Sequence, residues 1–180
     1  MIKKSLFNKD YVKLLASQKA KERVIDVNTL SSVTILVSSE KYTTEKLKEA
    51  IDFLRNKGLK AHGYIIVPQI NPDEKTKIEQ LSKKQCSWAG VPQQSLLIQW
   101  LARKTDLLIV LNPLQDPLLK YLTACSNSKL KASLDFEGDK DVSIDIFINN
   151  PKALSAGLKD QCKAIYQTLE SIGVRPSMIG

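Results

Sequence analysis

Thr105-Asp106-Leu107-Leu108-Ile109-Val110-Leu111-Asn112-Pro113 runs directly into Leu114-Gln115-Asp116-Pro117-Leu118-Leu119. An unbroken apolar run with no polar alternation suits a strand buried on both faces, the kind from which the parallel sheets of α/β proteins are built. Asp116 followed by Pro117 then reads as a helix start, the carboxylate capping free N–H groups and proline taking the first helical position. The helix it opens carries Leu118, Leu119, Tyr121, Leu122, Ala124 and Cys125, which leave so little polar surface that it must be largely buried.

Outward from this stretch the hydrophobic period keeps switching between strand and helix. Val33-Thr34-Ile35-Leu36-Val37 reads as a first strand, and Leu47, Ala50, Ile51 and Leu54 mark one face of a helix. Thr43 or Thr44 can cap that helix and Gly58 can end it. Ala61 to Val67, closed by Pro68, completes a βαβ unit. From Gln69 to Gln85 the chain is polar, with Asn71-Pro72-Asp73 as turn chemistry, and reads as a long excursion over the surface. Cys86-Ser87-Trp88-Ala89-Gly90-Val91-Pro92 returns it to a helix bearing Leu96, Leu97, Trp100 and Leu101. Downstream, Leu130, Ala132 and Leu134 alternate with Lys129, Lys131 and Ser133, as do Val142, Ile144, Ile146 and Ile148 with their neighbours, which predicts two half-exposed strands. The seven residues from Asp135 to Asp141 are too few for a parallel crossover, so the expected pairing is an antiparallel hairpin. Leu154, Leu158, Cys162, Ile165 and Leu169 line one face of a last helix that ends near Gly173.

The expected fold is α/β: a three-layer, mostly parallel sheet of about five strands with Rossmann- or flavodoxin-like architecture. A basic amphipathic helical segment over residues 1–30 precedes a single domain over 31–180. A chain of 180 residues with 43% hydrophobic content is long enough to bury one substantial core. No apolar run approaches the roughly 20 residues of a membrane span, and the start of the chain lacks the apolar centre of a secretory signal. A cytoplasmic protein with no membrane partner is expected. Cys86, Cys125 and Cys162, odd in number and widely spaced, predict reduced core thiols rather than a disulfide framework or a metal site.

The net charge of +8 is uneven: basic residues outnumber acidic ones 13 to 7 in residues 1–60, 7 to 5 in 61–120, and match them 7 to 7 in 121–180. Lys13, Lys19, Lys21 and Arg23 share the amino-terminal segment with Phe7, Tyr11, Leu14 and Leu15 at helical spacing. That basic face is either an electrostatic footprint for RNA or an acidic protein, or a solvated lysine surface.

The Trp88-x-Gly90-x-Pro92 turn, the Asp106-Leu107-Leu108-Ile109 strand, the Pro117-Leu118 helix start and the short strand around Asp145, in this order, resemble a small bacterial α/β family of unknown function. The resemblance spans nearly the whole chain. It implies a cytoplasmic bacterial α/β protein and carries no site residue across.

Candidate chemistry therefore rests on topology. Open α/β sheets bind ligands beyond the carboxyl ends of their strands, where strand order reverses. That edge offers Ser38, Ser39, Tyr42, Thr43 and Thr44 after the first strand, Pro68 and Gln69 after the second, and Asn112, Gln115 and Asp116 after the third. Hydroxyls ahead of a helix amino terminus suit a phosphate; they are also ordinary caps, and neither a Gly-x-Gly-x-x-Gly run nor a P-loop is present. The single histidine, His62, falls at the opposite end of the sheet, which argues against a Ser-His-Asp or Cys-His site, and no metal site or cofactor is called for. The acids between Asp135 and Asp141 read as a solvated turn rather than a calcium loop. Asp145 faces solvent or, if buried, needs a partner. Trp88 reads as a cap on the core beneath a loop, with an exposed partner anchor as the alternative. Three functional classes remain. A non-catalytic binding or adaptor module with a basic amino-terminal surface leads; an enzyme acting on a phosphorylated or nucleotide substrate through Asp116 or Asp145, and a structural or oligomer-forming domain, follow.

Overall fold

A computed structural model of the chain describes residues 11–13, 30–70, 78–88, 90–111, 116–134 and 143–172. Six strands, β1 (Ser32–Ser38), β2 (Lys60–Val67), β3 (Glu79–Ser82), β4 (Leu107–Val110), β5 (Leu130–Leu134) and β6 (Ile146–Ile148), form one sheet in the order β3-β2-β1-β4-β5-β6. Every pairing in it is parallel. This is the strand order of the doubly wound Rossmann sheet rather than the flavodoxin one, and it reverses direction between β1 and β4.

Five helices are described: α1 (Thr44–Arg55), α2 (Gln94–Ala102), α3 (Pro117–Cys125), α4 (Pro151–Leu154) and α5 (Leu158–Ser171). Helices α1 and α5 cover one face of the sheet, where Leu47, Ile51, Leu54, Leu158, Ile165 and Leu169 meet Val33, Ile35, Ile65 and Ile109. Helices α2 and α3 cover the other, where Leu96, Trp100, Leu118 and Leu122 meet Leu36, Ile66, Leu108 and Val110. Because a strand's side chains alternate between faces, β1 and β4 feed both cores, which is why their apolar runs are unbroken. Close packing on the α1 side depends on Gly63 of β2: a Cβ there would lie 2.6 Å from Ile51 Cδ1.

Four expectations are revised. The polar excursion contains a strand, β3, which pairs with β2 through residues as polar as Glu79 and Gln80. Strands β5 and β6 are parallel, with Ala132 opposite Ile146 and Leu134 opposite Ile148. The physical reason is strand length: β6 begins at Ile146, not Val142, so the connection has nearly the dozen residues a parallel crossover requires. Strand β5 is buried along its whole length, Lys131 included, because it lies inside the sheet beneath α3; the Lys131 ammonium donates to Ala124 O at the carboxyl end of α3 and to Ser143 Oγ. The last helix breaks after Leu154. Asn150 caps α4 through Ala153 N, and the Gln161 amide donates to Leu154 O and Ala156 O across the break before α5.

The expected basic amino-terminal helix is described only at Tyr11–Lys13. Tyr11 is buried against Ala124 and Tyr121 of α3, with half-buried Val91 beside it and the Lys120 ammonium 5.0 Å from its ring centroid. Val12 and Lys13 are exposed.

Candidate functional site

The reversal point places the carboxyl ends of β1 and β4 side by side, and two side chains named from the sequence meet there. Asp116 is the N-cap of α3: its Oδ1 accepts from Leu118 N at 3.0 Å. Its Oδ2 accepts from the Ser38 hydroxyl at 3.2 Å, both groups being buried. A third member comes from elsewhere in the chain. Lys83, just past β3, reaches over β2 to place its ammonium 3.0 Å from Asp116 Oδ2 and 2.6 Å from Glu40 Oε1. Partial burial works against the charged form of Lys83, but its hydrogen bonds to Glu40 and Asp116 outweigh this and hold its pKa above the ordinary lysine range.

Lys83 is placed by local sequence chemistry. Ser82 caps a single 3-10 turn (Lys83–Gln85) through Lys84 N, and Gln85 Oε1 accepts from Ser82 N in return, forming a capping box. Ser82 Oγ also donates to Pro68 O, tying this turn to the end of β2.

The remaining described edge residues make structural contacts of their own, Gln69 Oε1 accepting from the Lys84 ammonium at 2.7 Å. Ser39 N donates to Ile66 O, linking the ends of β1 and β2. Thr43, not Thr44, caps α1, its hydroxyl accepting from Lys46 N; Thr44 is the first helical residue. Tyr42 turns away from the edge and its hydroxyl donates to Gln161 Oε1 under α5. Asn112 and Gln115 lie outside the described residues, as do Lys19, Lys21 and Arg23 of the basic segment and the acids from Asp135 to Asp141.

The cluster is a polar knot with one negative charge in excess: one ammonium between two carboxylates, with a serine hydroxyl spent on the buried one. Cys86 stands near it, but burial and the Asp116 charge push its thiol up to about 11, with Lys83 opposing, so it is no thiolate nucleophile. Cys125 and Cys162 are likewise pushed up to about 12 by burial. Among the described residues no group of three or more His, Cys, Asp or Glu side chains could hold a metal ion.

At the opposite edge Asp106 gathers a denser set of donors. Its Oδ2 accepts from the backbone N–H and hydroxyl of both Ser31 and Ser32 at 2.8–2.9 Å, and its Oδ1 pairs with the Lys129 ammonium at 2.8 Å. Burial opposes ionisation, but the bonds from Lys129, Ser31 and Ser32 together hold this carboxyl well below the usual carboxylate range. His62 is exposed at this end, with Arg103 Nη1 3.2 Å from its Nδ1. Asp145 is exposed too, and accepts from Lys131 N at 2.7 Å, so it organises the start of the β5–β6 pairing.

Trp88 does not cap the core; it is 62% exposed. It sits in a three-residue loop between Ser87 and Val91, where Ser87 N donates to Val91 O at 2.7 Å and Gly90 N to Ser87 O at 2.9 Å. Gly90 closes the loop at φ 82°, a conformation that explains glycine two residues after the tryptophan. Cys86 and Pro92 bridge just beyond it, and Gln93 N donates to Gln85 O, so the loop is pinned at its base.

Lys83 was the functional feature the sequence reading missed, and the exposure of Trp88 corresponds to its second reading, the partner anchor, rather than to the favoured core cap. The Ser82-x-x-Gln85 capping signature was a usable signal for an ordered turn at Lys83; nothing local marked the reach to Asp116.

The profile of a family described as "Family of unknown function (DUF6913)" matches residues 3–169, and the chain belongs to that family. Neither a curated protein nor a solved structure matches it.

Proposed function

We propose that this member of a family without an assigned activity is a non-catalytic binding module that recognises a partner through exposed aromatic and basic side chains. The observation that carries the reading is Trp88, a large apolar ring held in water by a pinned loop. Such a ring loses hydrophobic free energy in the isolated chain and gains it when covered, and tryptophan is enriched among the residues that dominate interface energy. Val91 of the same loop packs beside Tyr11, which brings the start of the basic segment, with exposed Val12 and Lys13, next to the Trp88 loop. A net charge of +8, concentrated towards the amino terminus, favours an acidic protein over a neutral one. A bacterial, cytoplasmic setting belongs to the same reading, as does the absence of a membrane partner; among the described residues no helix is long and apolar enough to cross a membrane.

The test is capture of bound species from the source cells with wild type, with Trp88→Ala, and with charge reversal at Lys13, Lys19, Lys21 and Arg23. Trp88→Ala should keep the wild-type melting temperature, since exposed substitutions change stability by about 0.5 kcal/mol or less. Both variants should lose the same protein. Retention of the full set of bound species by both variants would sink the proposal. Bound RNA, lost at high salt, would redirect it to phosphate-backbone recognition.

The Ser38–Asp116–Lys83 contact favours a second reading, an enzyme or binding site for a phosphorylated or nucleotide ligand at the sheet's carboxyl edge. It predicts saturable thermal stabilisation by one such compound that Ser38→Ala abolishes. Two carboxylates around one ammonium count against an anionic ligand there, and place this reading second.

A further inference from the structure

We infer that the outer face of α2 is a docking surface for an acid-rich amphipathic helix of a partner protein; the inference rests on the binding-module reading and names the partner's chemistry. Helix α2 is apolar on both sides. Inward, Leu96 and Trp100 are buried, and the Trp100 indole N–H donates to Leu122 O of α3 at 2.9 Å. Outward, Ile98 is 61% and Leu101 37% exposed, and their i, i+3 spacing puts them on one stripe. Their exposed companions Gln94, Ser95, Gln99 and Ala102 are all uncharged. A helix that carries apolar side chains on its outer as well as its inner side is suited to being covered, and two anchors one turn apart are how a docked helix is read.

Charge identifies the occupant. From Lys83 to Lys104 the chain has no Asp or Glu, and exposed Lys84 and Lys104 bracket the helix, Lys83 being engaged by Glu40 and Asp116. Arg103 is engaged by Glu79 and His62, which leaves Lys104 as the exposed cation at the carboxyl end of α2. A second copy would bring cations against cations. Nine residues of helix, about 13 Å long, also offer far less area than a stable dimer buries. The chain's own amino-terminal segment is basic and has the wrong sign. A short helix with an apolar stripe flanked by Asp and Glu complements both features.

The experiment places a photo-crosslinking side chain in the full-length protein, in its own cells, at Ile98, at Trp88, or at Lys48 on the charged outer face of α1. The crosslinked peptide is mapped, and a synthetic copy is titrated against purified wild type and an Ile98→Ser, Leu101→Ser variant. The expected result is a crosslink from position 98, absent from 48, to a segment rich in Asp and Glu with apolar residues three or four apart. Its synthetic copy should bind at least tenfold more weakly to the double variant, and more weakly to wild type at high salt. A basic segment, concentration-dependent self-association through position 98, or flotation of wild type with phosphatidylglycerol vesicles that the double variant loses would each overturn the inference. A crosslink from 88 without one from 98 would overturn it and leave the binding-module reading standing. Silence at both would remove that reading as well.

Discussion

The two edges of the sheet solve one problem with the same three residue types and reach different results. At the amino edge Asp106 collects two serines and Lys129, and at the carboxyl edge Asp116 collects Ser38 and Lys83. Asp106 takes four donors from two adjacent residues of one segment, so the loss of any one leaves the rest in place. Asp116 depends on an ammonium that arrives from beyond β3 and is shared with an exposed Glu40. The first is a rivet between strands. The second is a strap across the crevice where strand order reverses, held by one long side chain.

The largest expected effect is at the rivet. Asp106→Ala strands four donors at a strand junction and should cost about 2–4 kcal/mol, read by urea denaturation. A loss below about 0.5 kcal/mol would show that the amino edge is not held this way. Next comes the strap: Lys83→Met leaves the Asp116 carboxylate buried with only its neutral donors, and should cost about 1 kcal/mol, the exposure of Lys83 tempering what a fully buried pair would lose. Equal losses at both positions would erase the contrast.

The edges should also fail at opposite ends of the pH scale. The folded-state pKa of Asp106 is depressed, so its contribution is complete above the unfolded value of about 4 and is lost as pH falls below it. The folded-state pKa of Lys83 is raised, so its contribution is complete below the unfolded value of about 10.4 and is lost as pH climbs past it. Melting temperatures across pH should show Asp106→Asn flattening only the acid limb and Lys83→Met only the alkaline one. The smallest effect belongs to His62. Burial, then the charges of Arg103 and Arg55, lower its pKa, so its protonation below about pH 6.5 disfavours the folded state. His62→Gln should slightly reduce the loss of stability between pH 6.5 and 5; an increased loss would mean that the ring is held as a cation.

What was legible in the chain was whatever a short window encodes. The run from Leu107 to Leu111, the Asp116-Pro117 start and the β1–α1–β2 unit are local statements, and each stands where the sequence places it. The parallel pairing of β5 and β6 was not legible, because alternation from Val142 onward suggested a longer strand and hence too short a connection. Lys131 misled for a related reason: period-two alternation distinguishes the two faces of a strand but not a solvent-facing side from one beneath a helix. At the candidate site Ser38 and Asp116 followed from the general rule for open sheets, whereas Lys83 did not, since its partners lie 33 and 43 residues away. The exposure of Trp88 required knowing which way a turn faces, and composition is silent on that.

The chain's two tryptophans sit in opposite surroundings, Trp88 62% exposed and Trp100 only 5%. The protein therefore carries two intrinsic fluorophores that answer different questions. An aqueous quencher such as iodide should reach Trp88 and spare Trp100, so the quenchable fraction of the emission reports whether the loop is covered. The remaining, blue-shifted fraction reports whether α2 is still seated on the sheet. Occupancy and integrity can thus be read from one unlabelled sample in a single titration.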